Sequence, residues 1–290
     1  MARDPTIIAS ALPPQSGVIV CADGFGETEG ASQAILDLVG MERVSALAVQ
    51  ADGAAWPRFA QPLAKLRRDV GIGLQLSLGD GSPSPFDPVA LPETVAAIAR
   101  QVAAFADATG FAPEFIGARR HAHVFPGYRR VLFLALERVD LAGLVWLLDP
   151  SASPLAILRR GRARARAFAA SALALGFARE ARRRGYATNT GFAGFVAGPA
   201  DFPVERDFQR YLQHRGPAHL VVCRPAYLDD EIERLDRRAD RRMRELMYLS
   251  STRYTDLLEV LGLRLLHAPP QSATGIGVPM ASSSGPTRQQ

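Results

Sequence analysis

Two histidines stand two residues apart at the end of an apolar segment that begins at Phe115. In an extended chain alternate side chains share a face, so His121 and His123 would converge on one point, as metal ligands or acid/base partners do. Arg119 precedes them on the same face. A divalent cation and a guanidinium do not share a pocket without carboxylates between them, so Arg119 decides which chemistry the two histidines can support.

The elements around this segment are short apolar runs that alternate with helical patterns, which is typical of βα units and a parallel sheet. The runs predict strands at residues 17–22, 45–49, 70–78, 143–147, 187–189, 219–223 and 264–266, besides the one that begins at Phe115. The helical patterns lie at residues 33–39, 58–67, 92–108, 129–138, 156–184, 205–214, 235–249 and 255–261. Seven or eight such units fit a closed or nearly closed barrel better than an open sheet. We therefore predict an α/β fold of the (β/α) TIM-like barrel type.

The composition predicts one large domain. The chain has 290 residues, 48% of them hydrophobic and 22% charged, as in a soluble protein with a full core. We expect a flexible N-terminus at 1–16, a single barrel domain at 17–267 and a disordered C-terminal tail at 268–290. The first residues lack the apolar stretch of an export signal, so a cytoplasmic location is expected. In that compartment Cys21 and Cys223 are expected to be reduced core residues.

The charge of the chain is basic, with a net charge of +5 that comes almost wholly from arginine, because Lys65 is the only lysine. No basic motif interleaved with aromatic residues accompanies this charge, so we expect no nucleic-acid partner. The densest basic segment is Arg159–Arg166. A solvated helix face is the simpler interpretation of that segment, and the alternative is a peripheral contact with anionic lipid headgroups or a phosphorylated substrate.

The carboxyl ends of the strands carry the catalytic side chains in a βα barrel. That rule selects Asp23, Gln75, the two histidines and Arg224, each of which ends or follows a predicted strand. They are far apart in the sequence, but a barrel would bring them to one rim.

Five segments in register resemble the YdjC-like carbohydrate deacetylases, a family of chitooligosaccharide deacetylases and hopanoid-associated deacetylase-like proteins. They are residues 20–26 (VCADGFG), 71–76 (GIGLQL), 121–127 (HAHVFPG), 191–195 (GFAGF) and 223–225 (CRP). The resemblance runs from about residue 17 to residue 267. It implies a distorted (β/α) barrel and metal-assisted removal of an acetyl group from an N-acetyl sugar.

The resemblance also implies roles for single residues. Amide hydrolysis of this kind needs a dication to activate water, a carboxylate base and an acid for the leaving amine. In the family the first acid of an Asp-Asp pair is the base, which corresponds to Asp23, and the second is a metal ligand. Here the second position is Gly24. The next ligand is a histidine in the family, and Gln75 stands in its place.

The remaining implied ligand positions are changed as well. The family has an Asp-x-His-x-His-x-His run, and this chain has Gly117 for the aspartate and Arg119 for the first histidine. A later Cys-His-Pro-Gly segment supplies another histidine in many members, and Arg224 replaces it here. Two of the changes thus introduce guanidinium groups, which bind phosphate or carboxylate in a bidentate manner. We therefore predict a pocket suited to an anion.

Three hypotheses follow. In the first, the protein binds a sugar or an anionic sugar derivative with no metal cofactor, and is either inactive as a deacetylase or uses a metal-free mechanism. In the second, Asp23, His121 and His123 form a rebuilt deacetylase site with zinc or magnesium. In the third, the chain is a non-catalytic partner protein in a polysaccharide or lipid-sugar pathway. The oligomeric state stays open.

The candidate catalytic residues are Asp23, His121 and His123. Asp23 could instead be the salt-bridge partner of Arg119 or Arg224, and His123 could simply hydrogen-bond backbone in the barrel wall. The candidate ligand-binding residues are Gln75, Arg119, Arg224 and Phe192. A sugar could stack on Phe192 or Phe195, and the alternative is a tight loop packed by these two phenylalanines.

Overall fold

The computed structural model describes residues 16–78, 89–196 and 202–270. In these residues nine strands form a single parallel sheet, in the order β6-β5-β4-β3-β2-β1-β8-β7 with β9 paired to β1. The strands are β1 (Ser16–Phe25), β2 (Ala46–Val49), β3 (Gly71–Leu76), β4 (Phe115–Ala118), β5 (Trp146–Leu147), β6 (Ala187–Thr188), β7 (Phe192–Ala193), β8 (His219–Cys223) and β9 (Leu263–Leu265).

Helices cover the outer face of this sheet. They are α1 (Glu29–Gly40), α2 (Trp56–Ala64), α3 (Leu91–Thr109), α4 (Pro126–Arg138), α5 (Pro154–Arg160), α6 (Arg164–Leu173), α7 (Phe177–Arg183), α8 (Val204–Tyr211), α9 (Asp230–Leu235), α10 (Ala239–Ser250) and α11 (Thr252–Val260). No helix in the described ranges is long and apolar enough to cross a membrane.

The sheet curls back on itself. β6 and β7 lie at opposite ends of the strand order, yet only residues 189–191 separate them in the chain. Because a residue spans at most about 3.6 Å, the two edges must approach each other. Asn189 holds this seam: its side chain accepts from Asp149 N at 2.7 Å and donates to Asp149 O at 2.8 Å and to Gly191 O at 3.1 Å. The result is a curled α/β half-barrel, and the predicted TIM-like fold is confirmed.

Alternation along each strand separates the barrel interior from the helical layer. On β1, Val18 and Val20 pack toward the helices, whereas Ile19 and Cys21 belong to the interior cluster. The interior is filled by Phe115 stacked on Trp146, with ring centroids 4.4 Å apart, so it is a packed core below the strand ends. Side chains that continue the inward alternation past this core must therefore line the mouth.

Helix α1 begins directly after the turn that follows β1. Thr28 caps it, accepting a hydrogen bond from Ala31 N at 3.1 Å, and the buried positions Ala31, Ala34, Ile35 and Leu38 repeat at the spacing of one helix face. The same turn is tied to the helix by the Gly26 amide, which donates to Ser32 Oγ at 3.0 Å. This geometry fixes the loop between residues 23 and 28 at the barrel mouth.

Several predicted elements differ from the structure. The single helix predicted at 156–184 is three helices, because the chain turns at Gly161 and Gly176, both in the left-handed region with φ of 75° and 79°. Strand β7 and helix α9 were not predicted. Both are short: β7 has two residues and α9 has six, too few to show a period.

Two further sequence-based expectations concern the cysteines and the ends of the chain. Cys21 and Cys223 are buried free thiols, as expected. The N-terminal segment 1–16 and the tail 268–290, apart from residue 16 and residues 268–270, lie outside the described residues.

Candidate active site

Asp23 and Arg224 are neighbours at the carboxyl ends of adjacent strands. The register of β1 and β8 pairs Ala22 with Cys223, so the next residue on each strand lies beside the other. Arg224 Nε is 3.7 Å from Asp23 Oδ2. The ion pair with Arg224 expected in one alternative for Asp23 is therefore present, and a catalytic role for Asp23 stays a prediction. Both side chains continue the inward alternation of their strands, so the pair lies in the barrel mouth.

Gln75 joins this pair from the third strand. It follows Gly71 and Gly73 on the inward face of β3, and its side-chain amide lies near enough to the Asp23 carboxyl to affect the pKa of that group. Burial raises the pKa of Asp23, while Arg224 and the Gln75 amide oppose that shift. The carboxyl is thus easier to protonate than an ordinary aspartic acid.

Glu27 is a central member of the site that the sequence did not reveal. Its carboxyl oxygens accept from Arg224 Nη2 at 3.0 Å and from Arg242 Nη1 at 2.7 Å. Burial alone would raise the pKa of Glu27, but the two guanidinium groups outweigh it, with a smaller contribution from Arg119, and the pKa is lowered. Glu27 is therefore a carboxylate held between two cations.

Helix α10 holds the backbone of Arg224 in place. Glu245 accepts from the backbone amide of Arg224 at 2.7 Å, and Arg242 Nε donates to the carbonyl of Arg224 at 3.0 Å. Arg241, one residue earlier on the helix, bonds Glu245 at 3.1 Å and Asp207 at 2.9 Å. The helix thus holds the backbone of Arg224 on both sides and aims its guanidinium at Asp23 and Glu27.

The two histidines do not converge, which corrects the extended geometry predicted for them. Residues 119–124 form a 3-10 turn, and Arg120 and His121 adopt positive φ angles of 54° and 59°. His121 is half-buried and packs edge-on against Phe192 at 5.0 Å and Phe195 at 5.5 Å. His123 is fully buried, and its Nε2 lies 2.6 Å from Leu148 O. The alternative in which His123 bonds backbone in the barrel wall is confirmed.

Both histidines are neutral in the folded protein near pH 7. Burial lowers the pKa of His121 to about 3, with a smaller effect from His123. Burial also lowers the pKa of His123 to about 4, and the hydrogen bond to Leu148 only partly opposes it. Because the carbonyl of Leu148 can only accept, His123 carries its proton on Nε2. A catalytic role for either histidine stays a prediction.

The predicted ligand-binding residues differ in accessibility. Arg119 is exposed, and the side chain of Arg224 keeps 42% of its exposure. Phe192 is only 3% exposed, and its ring contacts His121 and Phe195. This packing favours the alternative in which the two phenylalanines close a tight loop.

The basic segment Arg159–Arg166 is only partly a solvated face. Arg160 is 8% exposed and donates to the carbonyl of Phe192 at 2.7 Å, while Arg162 lies 3.2 Å from Asp207. These two arginines are therefore held by contacts within the protein.

A divalent cation does not fit the donor set of the mouth. In the described parts of the chain no three side chains of histidine, cysteine, aspartate or glutamate lie close enough together to hold a metal. At Gly24 an added Cβ would stand 3.0 Å from both Glu27 Oε2 and Arg242 Nη2. The place next to Asp23 is therefore taken by guanidinium groups, which repel a dication.

Comparison with known proteins decides the family. A family model described as YdjC-like protein matches residues 17–260, which is most of the chain. The protein belongs to the YdjC-like family. The resemblance noted in the sequence is thereby confirmed, over nearly the range that the motifs indicated.

The YdjC-like fold is also seen in a solved structure from Enterococcus faecalis, described as a "putative cellobiose-phosphate cleavage protein". It is 16% identical to this chain, with a TM-score of 0.59 over 87% of this chain and 97% of that one. At this identity the likeness shows the fold alone. No curated protein matches the chain.

The residues that sequence reasoning missed in this YdjC-like protein are Glu27, Arg242 and Glu245. The pair Arg241 and Glu245 has the i,i+4 spacing of an ordinary surface ion pair, so its local pattern gave no sign of burial. For Glu27 the available signal was its place in the first turn after the strand that carries Asp23.

Proposed function

We propose that this YdjC-like protein binds a carbohydrate at the mouth of the barrel and does not carry out the metal-dependent deacetylation that its resemblance implies. The observation that carries the proposal is the ion pairing of Arg224 with Asp23 and Glu27, at the position where the resemblance implies a histidine. The guanidinium of Arg224, whose backbone is held on both sides by α10, neutralises the carboxylates that a dication would otherwise need.

The site offers groups that bind sugar hydroxyls. The side chains of Arg224 and Asp23 keep 42% and 14% of their exposure, so a guanidinium and a carboxyl group are both accessible there. A sugar hydroxyl can accept from the first and donate to the second. The described polar groups thus suit a neutral sugar ring in the mouth.

Arg119 supports an anionic substituent on that sugar. Arg224 is already shared among Asp23, Glu27 and Asp236, at 3.7, 3.0 and 3.9 Å. Arg119 is exposed and makes no ion pair within 4 Å in the described ranges. It is therefore the cation of the mouth that a phosphate or carboxylate on the sugar would meet.

Thermal shift tests binding, because a ligand that binds only the folded state raises its Tm. Phosphorylated or uronic-acid sugars should raise Tm more than neutral N-acetylated oligosaccharides do. Arg119→Gln should remove the difference, while Arg100→Gln, at an exposed position on α3, should keep it. If no sugar of either class shifts the wild-type Tm, the proposal fails.

Acetate release tests the competing hypothesis of a rebuilt deacetylase. N-acetylated oligosaccharides should yield no acetate with the wild-type protein, with or without added zinc. Release that is lost in Asp23→Asn would show that the protein is a working deacetylase.

A further inference from the structure

An arginine-lined cleft lies on the outside of the barrel, where α7 packs beside α4. Its volume is 570 Å³. It is lined by Arg129, Gly176, Arg179, Glu180, Arg183 and Arg184. Four cations thus face one carboxylate. None of these residues belongs to the mouth of the barrel, so the cleft is separate from the site proposed above.

Part of this charge is used within the protein. Glu180 lies 4.0 Å from Arg129 and 3.5 Å from Arg184, and Arg184 also pairs with Glu137 at 2.6 Å. Arg129 further donates to the carbonyls of Val124 and Leu173. These contacts fix two of the four arginines as parts of the cleft wall.

The other two arginines are exposed, and neither makes an ion pair or hydrogen bond with the described parts of the protein. Arg179 and Arg183 are one helical turn apart, so they share a face of α7. Two like charges at this spacing repel each other and destabilise a helix. An anion between them would remove that repulsion, and guanidinium groups bind phosphate oxygens in pairs.

An exposed leucine stands at the edge of the same cleft. Leu175 is 81% exposed, and its carbonyl accepts from Nη1 of Arg129 at 3.1 Å, so it lies beside the cleft wall. The preceding helix, α6, has no buried residue and exposes Phe168. A soluble phosphate would leave this apolar side chain in water, whereas a bilayer offers phosphates at its surface and apolar chains just beneath.

We propose that the cleft binds the phosphate headgroup of an anionic membrane lipid, with Leu175 inserted beside it. The contact is peripheral. It differs from the lipid contact predicted for Arg159–Arg166, where Arg160 and Arg162 contact other residues of the protein. It places the protein against a membrane whatever ligand the barrel mouth takes.

Sedimentation with vesicles tests the proposal. The full chain should bind vesicles of equimolar phosphatidylcholine and phosphatidylglycerol and should not bind pure phosphatidylcholine. The double variant R179A/R183A should bind the anionic vesicles on the order of 30-fold more weakly, from about 1 kcal/mol for each arginine near the surface. The matched control R68A/R100A, which removes two exposed arginines elsewhere, should retain most of the binding.

A second pair of variants distinguishes a lipid from free phosphate. Leu175→Gln should weaken vesicle binding but keep the thermal shift that inorganic phosphate produces, while Leu144→Gln, at a position 71% exposed, should change neither. Equal vesicle binding by R179A/R183A and its control would contradict the proposal that the cleft is the lipid-binding site. Equal vesicle binding by Leu175→Gln and Leu144→Gln would contradict the proposal that the bound phosphate belongs to a membrane lipid. Wild-type binding to both vesicle types alike would overturn the electrostatic basis.

Discussion

Glu27 neutralises two guanidinium groups that the fold brings together from different elements. Arg242 is 3% exposed and Glu27 10% exposed at the side chain, so neither charge can be satisfied by water instead. Removing one partner of a buried ion pair leaves the other charge uncompensated, which costs more than the pair contributes. Removal of the Glu27 charge is therefore expected to destabilise the protein strongly.

Replacing Glu27 with Gln should lower the free energy of unfolding by about 3 kcal/mol, because Arg242 would remain buried with only the more distant Asp236, at 4.0 Å, as its counter-charge. The control is Glu29→Gln, two residues along. Glu29 pairs with Arg58, but the two side chains are 59% and 67% exposed, so the change should cost at most about 1 kcal/mol. Urea unfolding of both variants measures the difference. Equal losses would show that the Glu27 network contributes no more than a surface pair.

His123 makes stability depend on pH in a defined direction. Its pKa is about 4 in the folded protein and about 6.5 when unfolded, so the unfolded chain binds more protons between these values. Stability is fully present above pH 6.5 and falls as the pH drops toward 4. Over that range a single group of this kind contributes on the order of 3 kcal/mol.

His123→Gln should reduce the pH dependence of Tm between pH 6.5 and 4 by about a third, since the amide can still donate to Leu148 O but does not titrate. The rest of the slope should remain, because burial also lowers the pKa of His121 and of His219 to about 3. His267→Gln, at an exposed position, should leave the wild-type slope unchanged. The lowered pKa of Glu27 adds a loss of stability in the same direction at still lower pH, and both variants keep that part. A slope that is unaltered in His123→Gln would contradict the assignment.

A glycine shapes the end of strand β1. Gly24 has φ of 100°, a conformation that an L-residue rarely adopts, and it stands where the resemblance implies the second acid of an Asp-Asp pair. The same backbone lets Glu27 and Arg242 approach within 3.0 Å of the missing Cβ. The backbone conformation and the charge network therefore both disfavour a side chain at position 24.

Gly24→Ala should destabilise the protein by about 1–2 kcal/mol from the left-handed backbone alone. Gly40→Ala is the matched control, because an added Cβ there meets nothing within 4 Å. Gly40 is also the last residue of α1, and alanine has a higher helix propensity than glycine. Urea midpoints should fall for the first variant and hold or rise for the second. A neutral Gly24→Ala would mean that the turn relaxes, and a metal-binding aspartate could then be accommodated.

At the scale of the whole molecule, the curled sheet brings the ends of β1, β3, β4 and β8 to one mouth, and α10 closes it from outside the sheet. The charges there balance one another through arginine and carboxylate pairs. The stability of the barrel should therefore depend on these pairs and not on a bound ion.

Chelation tests this at the same scale. Dialysis against EDTA should leave Tm unchanged, and added zinc should not raise it, because a ligand stabilises the folded state only where it finds a site. Purified protein should carry less than stoichiometric metal. Stoichiometric zinc that disappears in His121→Ala, with a fall in Tm on chelation, would contradict the metal-free mouth.

The fold class and the place of the mouth could be predicted from the sequence. Apolar runs and helical patterns are local properties, and alternation along a strand decides which residues face inward once the strand ends are known. Asp23, Gln75, the two histidines and Arg224 could therefore be assigned to one rim from the strand ends alone.

Tertiary structure alone decided what those residues contact. Glu27 meets Arg242, which is 215 residues away, because α10 packs beside α1, the helix that follows the first strand, and no local period encodes that contact. His121 and His123 diverge because two left-handed residues turn the chain where extension was expected. The pairing of charges and the direction of a turn depend on which elements pack together, which is why the chemistry of the mouth became visible only in the folded molecule.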